Sequence, residues 1–365
     1  MYTSVVTNNR PLTVGRGSNL APPNRFGLPV IEFDGDFLDA DPDAVAALER
    51  PKTQYLRDDT KSVVTENDSP DIGFRFSLNP YRGCQHGCAY CYARPTHECL
   101  GFNAGIDFET RILVKEKAPE LFRAFLSRKA WVPEFITLSG VTDAYQPIER
   151  KLGITRRCLE VAAEANQPIG IVTKNALVER DIDILGPMAA RDLVHVNVSV
   201  TTLDAELARS MEPRTSTPAA RLRAVESLSK AGVPVCVLVA PIVPGLNDQE
   251  IPAILAAVKA AGARAAGYVL LRLPWAVAPV FLDWLDRRDP ELRKRVEGRI
   301  RAVRGGRLND PEFGSRMRGR GELSDQIRSL FKLFAKKHGL DGGMPNYDYS
   351  RFRPPGDARG QGRLF

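Results

Sequence analysis

From residue 74 the chain alternates short apolar runs with amphipathic stretches. The runs at 74–78, 135–138, 169–173, 194–200, 234–239 and 267–273 are rich in β-branched residues and nearly continuously apolar. That texture predicts parallel strands buried on both faces. Between them, 118–129, 155–166, 178–190, 218–231 and 249–261 carry apolar residues at helical spacing, and Gly232 and Gly262 close two of these stretches, a common helix stop. Six βα units in register predict an α/β fold, a partial (β/α)6 TIM-like barrel with its helices outside. It is two units short of a closed barrel, and its reactive centre belongs at the C-terminal ends of the strands.

The flanks differ in texture. Residues 1–70, with prolines at 22, 23 and 29 and a charged run at 49–68, predict a mostly irregular extension with one short helix at 43–50. Arg16 and Arg25 read there as solvated loop residues within reach of a phosphate or carboxylate. Beyond 275 comes a basic helical extension: a helix over 277–304, a Gly/Arg-rich segment over 305–321, and an amphipathic helix over 323–338. An extended tail over 344–365 carries Tyr347, Tyr349 and Phe352. The expected divisions are therefore 1–70, 71–275 and 276–365.

Composition changes the picture little. A chain of 365 residues with 43% hydrophobic and 26% charged residues suits a globular enzyme, and its net charge of +7 permits an anionic partner without demanding one. Between 286 and 307, nine Lys/Arg face four Asp/Glu, a local balance of +5. That surface, with the tail aromatics to stack on bases, makes nucleic acid a candidate partner, while pairing within the helix is the competing reading. The first twelve residues lack the apolar run of a signal peptide and no stretch of about 20 apolar residues occurs. A cytoplasmic protein without membrane contact is expected.

The chemistry concentrates in the stretch after the first strand. Cys84, Cys88 and Cys91 stand in a C-x3-C-x2-C spacing, with Gly83 and Gly87 before and between them. Thiols so close in a reducing compartment point to metal rather than to disulfides. A closed zinc site takes four ligands, and so does a fully protein-bound iron–sulfur cluster. Three cysteines without an evident fourth suggest a cubane with one iron open; a zinc site completed by His86 or His97 is the competing reading. Cys158, Cys236 and His195 read as core residues, whereas Cys99 is either a fourth thiol or a surface one.

Cys84, Cys88, Tyr90 and Cys91 resemble the signature of the radical S-adenosylmethionine superfamily. Together with the run Ser139-Gly140-Val141-Thr142-Asp143-Ala144-Tyr145-Gln146-Pro147, they resemble its spore photoproduct lyase-like branch, over about 74–274. The resemblance implies a [4Fe-4S] cluster whose open iron is chelated by S-adenosylmethionine. It also implies a reductant such as flavodoxin or ferredoxin, and a 5′-deoxyadenosyl radical that abstracts hydrogen from a substrate. Thr142 and Asp143 are then expected to accept from the cosubstrate's amino group. Lys174, with Arg214 second, is expected to meet its carboxylate, Ser199 the carboxylate or a ribose hydroxyl, and Tyr90 the adenine. The branch's repair enzyme carries a cysteine in the loop after the second strand, which returns hydrogen to the product radical. That loop has no thiol here, so Cys99 and Tyr145 stand as candidates and thymine-dimer repair is not implied. An iron–sulfur electron-transfer or binding protein and a zinc-stabilised nucleic-acid module are the alternatives. The set Asp143, Lys174, Ser199 and Arg214 favours radical chemistry, because neither alternative uses a site for a zwitterion.

Overall fold

The computed structural model describes residues 13–27 and 50–356; the helix expected at 43–50 falls almost wholly outside them. The described strands are β1 (Gln54–Arg57), β2 (Val64–Glu66), β3 (Phe76–Leu78), β4 (Tyr81–Arg82), β5 (Arg111–Val114), β6 (Ile136–Leu138), β7 (Ile169–Thr173), β8 (Val194–Ser199), β9 (Val235–Ile242) and β10 (Ala265–Leu270). The main sheet runs β10-β9-β8-β7-β6-β3-β2. Its six strands from β3 to β10 are parallel, and β2 adds an antiparallel edge to β3. These six are the strands expected, and β7 matches to the residue.

The reason is burial. Ile169, Ile171, Val194, Val196 and Val237 are completely buried, each contributing roughly 1.5–3 kcal/mol on removal from water. Helices Ala118–Leu126, Ile154–Ala165, Ile182–Ala189, Pro218–Lys230 and Ile251–Ala260 cover the sheet. The stretch expected as one helix over 178–190 begins instead as a 3-10 turn, Ala176–Asp181, where the Asn175 side chain accepts from Leu177 N at 3.0 Å.

Two flank readings change. The stretch from 50 to 70 holds β1, which pairs with β5 beside β4 in a second, three-stranded sheet, and also β2. Both strands lie at sheet edges and bury little, so their sequence lacks an apolar signal. The helix expected over 277–304 is two helices, Val277–Arg288 and Pro290–Ala302. Asp289 adopts an extended backbone, as residues before proline do, and its carboxylate caps Glu291 N at 2.9 Å.

The basic face of these helices is largely spent within the protein. Arg287 pairs with Asp283 at 2.9 Å, Lys294 with Glu291 at 2.8 Å, Arg301 with Glu297 at 2.7 Å, and Arg293 with Asp286. Arg304 turns inward to the Leu270 and Leu271 carbonyls at 3.2 and 2.6 Å. The tail folds under the N-terminal ends of the strands, where Tyr347 stacks on His195 at 4.1 Å and on Phe135 at 5.0 Å. Phe352 packs against the core. Tyr347 and Phe352 therefore serve packing, at the end of the sheet away from the cysteines, and not the base stacking expected of them.

Removing the Tyr347 ring should cost about 1–3 kcal/mol of stability. Tyr349→Ala, at an exposed position, should cost less than about 1 kcal/mol. Urea unfolding of the two variants would show this; equal losses would mean that the tail is not docked through Tyr347.

Candidate metal centre at the strand ends

β3 ends at Leu78 and the short β4 turns the chain into the cysteine loop. Gly83 enters it at a φ of +77°, where a Cβ would come within 2.9 Å of the His97 ring. Gly87 has a φ of +65°, and a Cβ there would lie 2.5 Å from the Glu109 carboxylate. Glycine is required at both points by conformation and by space.

The three thiols are unbridged, with Cys84 and Cys88 each 7% exposed and Cys91 half-buried. Cys91 packs with Cys84 against Ala93 and Phe108 on one side, and with Cys88 and Tyr90 on the other. Burial pushes the Cys88 thiol well above its ordinary pKa, and Glu212 and the neighbouring thiols add to this. Burial, then Cys84, raises Cys91 to about 11 against the opposing Arg94. Three thiolates here call for a cationic group among them, which is what bound metal supplies. Among the described residues no three His, Cys, Asp or Glu side chains converge as they would on one metal ion. His97 turns Nε2 to the Arg111 carbonyl at 2.9 Å, and His86 sets Nδ1 3.4 Å from Asp143. Three thiols from one loop are the donor set of a polynuclear cluster with one position left to another ligand.

Four devices hold the loop. The first is the segment after β6. Thr142 Oγ1 donates to Gly83 O at 2.6 Å, and Gln146 accepts from Gln85 N at 2.9 Å. Gln85 Oε1 in turn accepts from Ile148 N at 2.9 Å, while the Tyr92 hydroxyl donates to Gly140 O at 2.5 Å. Asp143 accepts from Thr173 Oγ1 and Lys174 N, both at 2.8 Å, and faces His86. Burial alone would lower the His86 pKa, but Asp143 and then Cys84 raise it to about 10.

The second device is a fully buried ion pair, Arg94–Glu109, at 2.5 Å. Arg94 also donates to Cys88 O at 3.0 and 2.8 Å. The third is a matching pair, Glu212–Arg221, to which the Tyr90 hydroxyl bonds directly and Thr201 Oγ1 at 2.7 Å. Burial would raise Glu212, but Arg221 and then Lys174 hold it ionised, at about 2. The fourth is the segment 13–20. Gly17 N and Ser18 N donate to Glu109 at 3.1 and 2.9 Å, and a Cβ on Gly17 would collide with Gly87 O. Arg16, expected to be solvated, is 6% exposed and donates to Glu109 O and Pro51 O at 2.9 and 2.8 Å. Arg25 pairs with Glu98 at 3.2 Å.

The expected site residues divide accordingly. Lys174 stands beside the thiols: its ammonium donates to Ala240 O at 3.1 Å and lies 5.8 Å from the Tyr90 ring centroid. Ser199 closes β8 and is buried, its carbonyl accepting from Arg221 at 3.1 Å. Thr142 and Asp143 reach the site but spend their hydrogen bonds on protein groups. Arg214 turns away, donating from Nε to Gly15 O at 3.0 Å, although its backbone N meets His86 O at 3.3 Å. Tyr145 is buried in the main core with its hydroxyl unpartnered, so it lies apart from the thiols. Cys99 is exposed on the 3-10 helix Arg94–Leu100 and does not pack with the other three. Neither packs with the three clustered thiols. Sequence reasoning missed Arg94, Glu109, Glu212, Arg221 and Tyr92, because an isolated Arg or Glu reads as a surface residue.

Comparison with known proteins agrees with this geometry. Residues 78–258 match the Radical SAM superfamily. An uncharacterized protein of Mycobacterium bovis is 38% identical over 226 residues, which span 61% of this chain and 66% of the relative, just under two thirds of its length. An uncharacterized protein of Methanocaldococcus jannaschii is 29% identical over 199 residues, 54% of this chain and 71% of the relative. Among solved structures, a cysteine-to-serine mutant of spore photoproduct lyase superposes with a TM-score of 0.57 at 16% identity, covering 78% of this chain and 79% of that one. A double mutant of that lyase, with bound AdoMet and dinucleoside spore photoproduct, gives 0.56, also at 16% identity, over 78% of each chain. At such identity the likeness is one of fold. Residues 78–258, which hold the three-cysteine loop and the parallel strands β6 to β9, form a region that matches the Radical SAM superfamily.

Proposed function

We propose that this chain is a radical S-adenosylmethionine enzyme in which Cys84, Cys88 and Cys91 hold a [4Fe-4S] cluster. One observation carries the reading: three unbridged thiols on one clamped loop lie at the strand ends beside the ammonium of Lys174. When bound, the cluster and S-adenosylmethionine supply a 5′-deoxyadenosyl radical able to take hydrogen from a substrate.

The chain's own residues orient and shield. Lys174, whose ammonium lies by the Tyr90 ring and donates to Ala240 O, offers its charge to the cosubstrate's carboxylate. Ser199, at the end of β8, is the neighbouring hydroxyl. Asp143 and Thr142 position the cysteine loop and the Lys174 backbone instead of receiving the amino group. Tyr90 is fixed through its hydroxyl to Glu212, which keeps its ring at the thiols. The segment 13–20 excludes water from the side of the loop at Gly87. An electron-carrier protein such as flavodoxin or ferredoxin is the partner this chemistry requires. The paired C-terminal arginines lend no support to a nucleic-acid substrate.

Reconstituted protein incubated with dithionite and S-adenosylmethionine should form 5′-deoxyadenosine. Cys84→Ala, Cys88→Ala and Cys91→Ala should each abolish both the product and the cluster's iron and sulfide, whereas Cys99→Ala should retain them. Full iron in any of the first three would sink the assignment, and an intact cluster with no product would favour an electron-transfer protein.

Lys174→Ala should leave the cluster's absorption unchanged and weaken S-adenosylmethionine binding by about ten-fold or more, the loss of roughly 1.5–3 kcal/mol of charged hydrogen bonding. Unchanged affinity would move the carboxylate to another group.

Glu212→Gln leaves the Arg221 charge buried without its counter-ion, a loss of about 3–5 kcal/mol. The Glu212 pKa is lowered by folding, so its contribution is complete above the unfolded value near 4.5 and is lost as pH falls toward about 2. Acid unfolding of the wild type should therefore be steeper in that window than that of Glu212→Gln. Parallel profiles would refute the pairing.

A further inference from the structure

Arg272 stands just past β10, at the C-terminal end of the sixth parallel strand, on the edge of the sheet that carries the cysteine loop. Its guanidinium lies 5.9 Å from the ring centroid of Tyr92, the residue after Cys91. The other inward-turned arginines at this end have oxygen acceptors: Arg94 and Arg221 buried carboxylates, and Arg304 backbone carbonyls for its terminal nitrogens, although its Nε also lacks a partner. Arg316, its cationic neighbour, is paired with Asp71 at 2.5 Å. Arg272 differs. Among the described residues no carboxylate pairs with it; its one donation is to Met317 Sδ at 3.8 Å, and its Nε is buried without a partner. Burial, and then the charge of Arg316, lower its pKa. A half-buried guanidinium with no carboxylate bonded to it and only a thioether as acceptor is left able to take up an anion arriving from outside.

Its surroundings say more about the ligand. Tyr92 is 53% exposed beside it, and Trp275, three residues past Arg272, is 68% exposed. Trp275 holds a φ of +45°, strained for so bulky a residue, under the Arg25 guanidinium at 4.3 Å. Aromatic surface is thus kept facing solvent at the mouth of the barrel where packing would ordinarily bury it. The cation is also distinct from Lys174, which lies by the Tyr90 ring and not by Tyr92.

We infer that Arg272 anchors an oxyanion, a carboxylate or a phosphate, carried by the substrate, with the Tyr92 ring alongside as the face for an adjoining planar group. The planar fork of arginine suits either oxyanion. That the ligand is a substrate rests on the radical reading above; the binding itself does not.

The test uses small probes and the full chain without S-adenosylmethionine, so its outcome is independent of 5′-deoxyadenosine formation. Phenyl phosphate, benzoate and the neutral benzyl alcohol are titrated by ligand-observed NMR against the wild type, Arg272→Met and Arg272→Lys. At least one anionic probe should bind, benzyl alcohol should not, and Arg272→Met should weaken binding by about ten-fold or more. Arg272→Lys should fall between, because it keeps the charge and loses the fork; it also carries the test if the Met variant does not fold. Binding of phenyl phosphate alone identifies a phosphate site, and of benzoate alone a carboxylate site. Failure of both anions, equal binding of the neutral probe, or full affinity in the folded substitutions overturns the inference. Oxyanion binding without any 5′-deoxyadenosine would keep the Arg272 site and sink the radical reading instead.

Discussion

The buried pair Arg94–Glu109 is the contact on which the cysteine loop depends. Both side chains are fully withdrawn from water, so neither charge is tolerable without the other, and losing one partner costs about 3–5 kcal/mol. Each also does a second task. Arg94 gathers the carbonyls of Cys88, Ala104 and Gly105. Glu109 receives the amides of Gly17 and Ser18 and backs onto Gly87. One ion pair thus joins the cysteine loop, the turn that follows it and the N-terminal segment laid across it.

The same logic repeats across the loop, and it sets the local charge. Glu212 is matched by Arg221, and Asp143 by His86 and the Lys174 amide. Once these acids are matched in place, the Lys174 ammonium, held by Ala240 O, adds positive charge near Cys88. A site meant for thiolates and a zwitterion needs cations that are not already spent. Buried acids serve here to fix geometry, and Lys174 and Arg272 are cations near the thiol loop that no carboxylate pairs with among the described residues.

How much of this was legible follows from what burial writes into a sequence. β7 is apolar up to Thr173 and β8 sets a valine at every second position, both almost wholly buried, and their limits could be read closely. β1 and β2 leave most residues exposed, so a charged run concealed them. The break before Pro290 was visible in the Asp-Pro step, yet the helical pattern on either side masked it. The three cysteines were readable because their spacing is local. Arg94 and Glu109 are joined only through the fold, and an arginine that ties carbonyls together looks in sequence like one that is solvated. Lys174 follows a strand end, a position that topology defines and that a sequence can therefore display. Asp143 follows the same rule but accepts three protein hydrogen bonds, a fact no spacing reveals.

The two ends of the half-barrel are treated in opposite ways. At the N-terminal ends of the strands the tail fills the opening: Tyr347 stacks on His195 and Phe135, and Asp348 N bonds to Asp192 O at 3.0 Å. At the other end, the residues that fill space are polar and clamped, while Tyr92 and Trp275 keep their rings toward solvent. An open sheet of six parallel strands would otherwise expose apolar surface at both mouths. Sealing one with an aromatic stack confines access to the end where the thiols, Lys174 and Arg272 stand, so that a ligand entering the barrel meets all three.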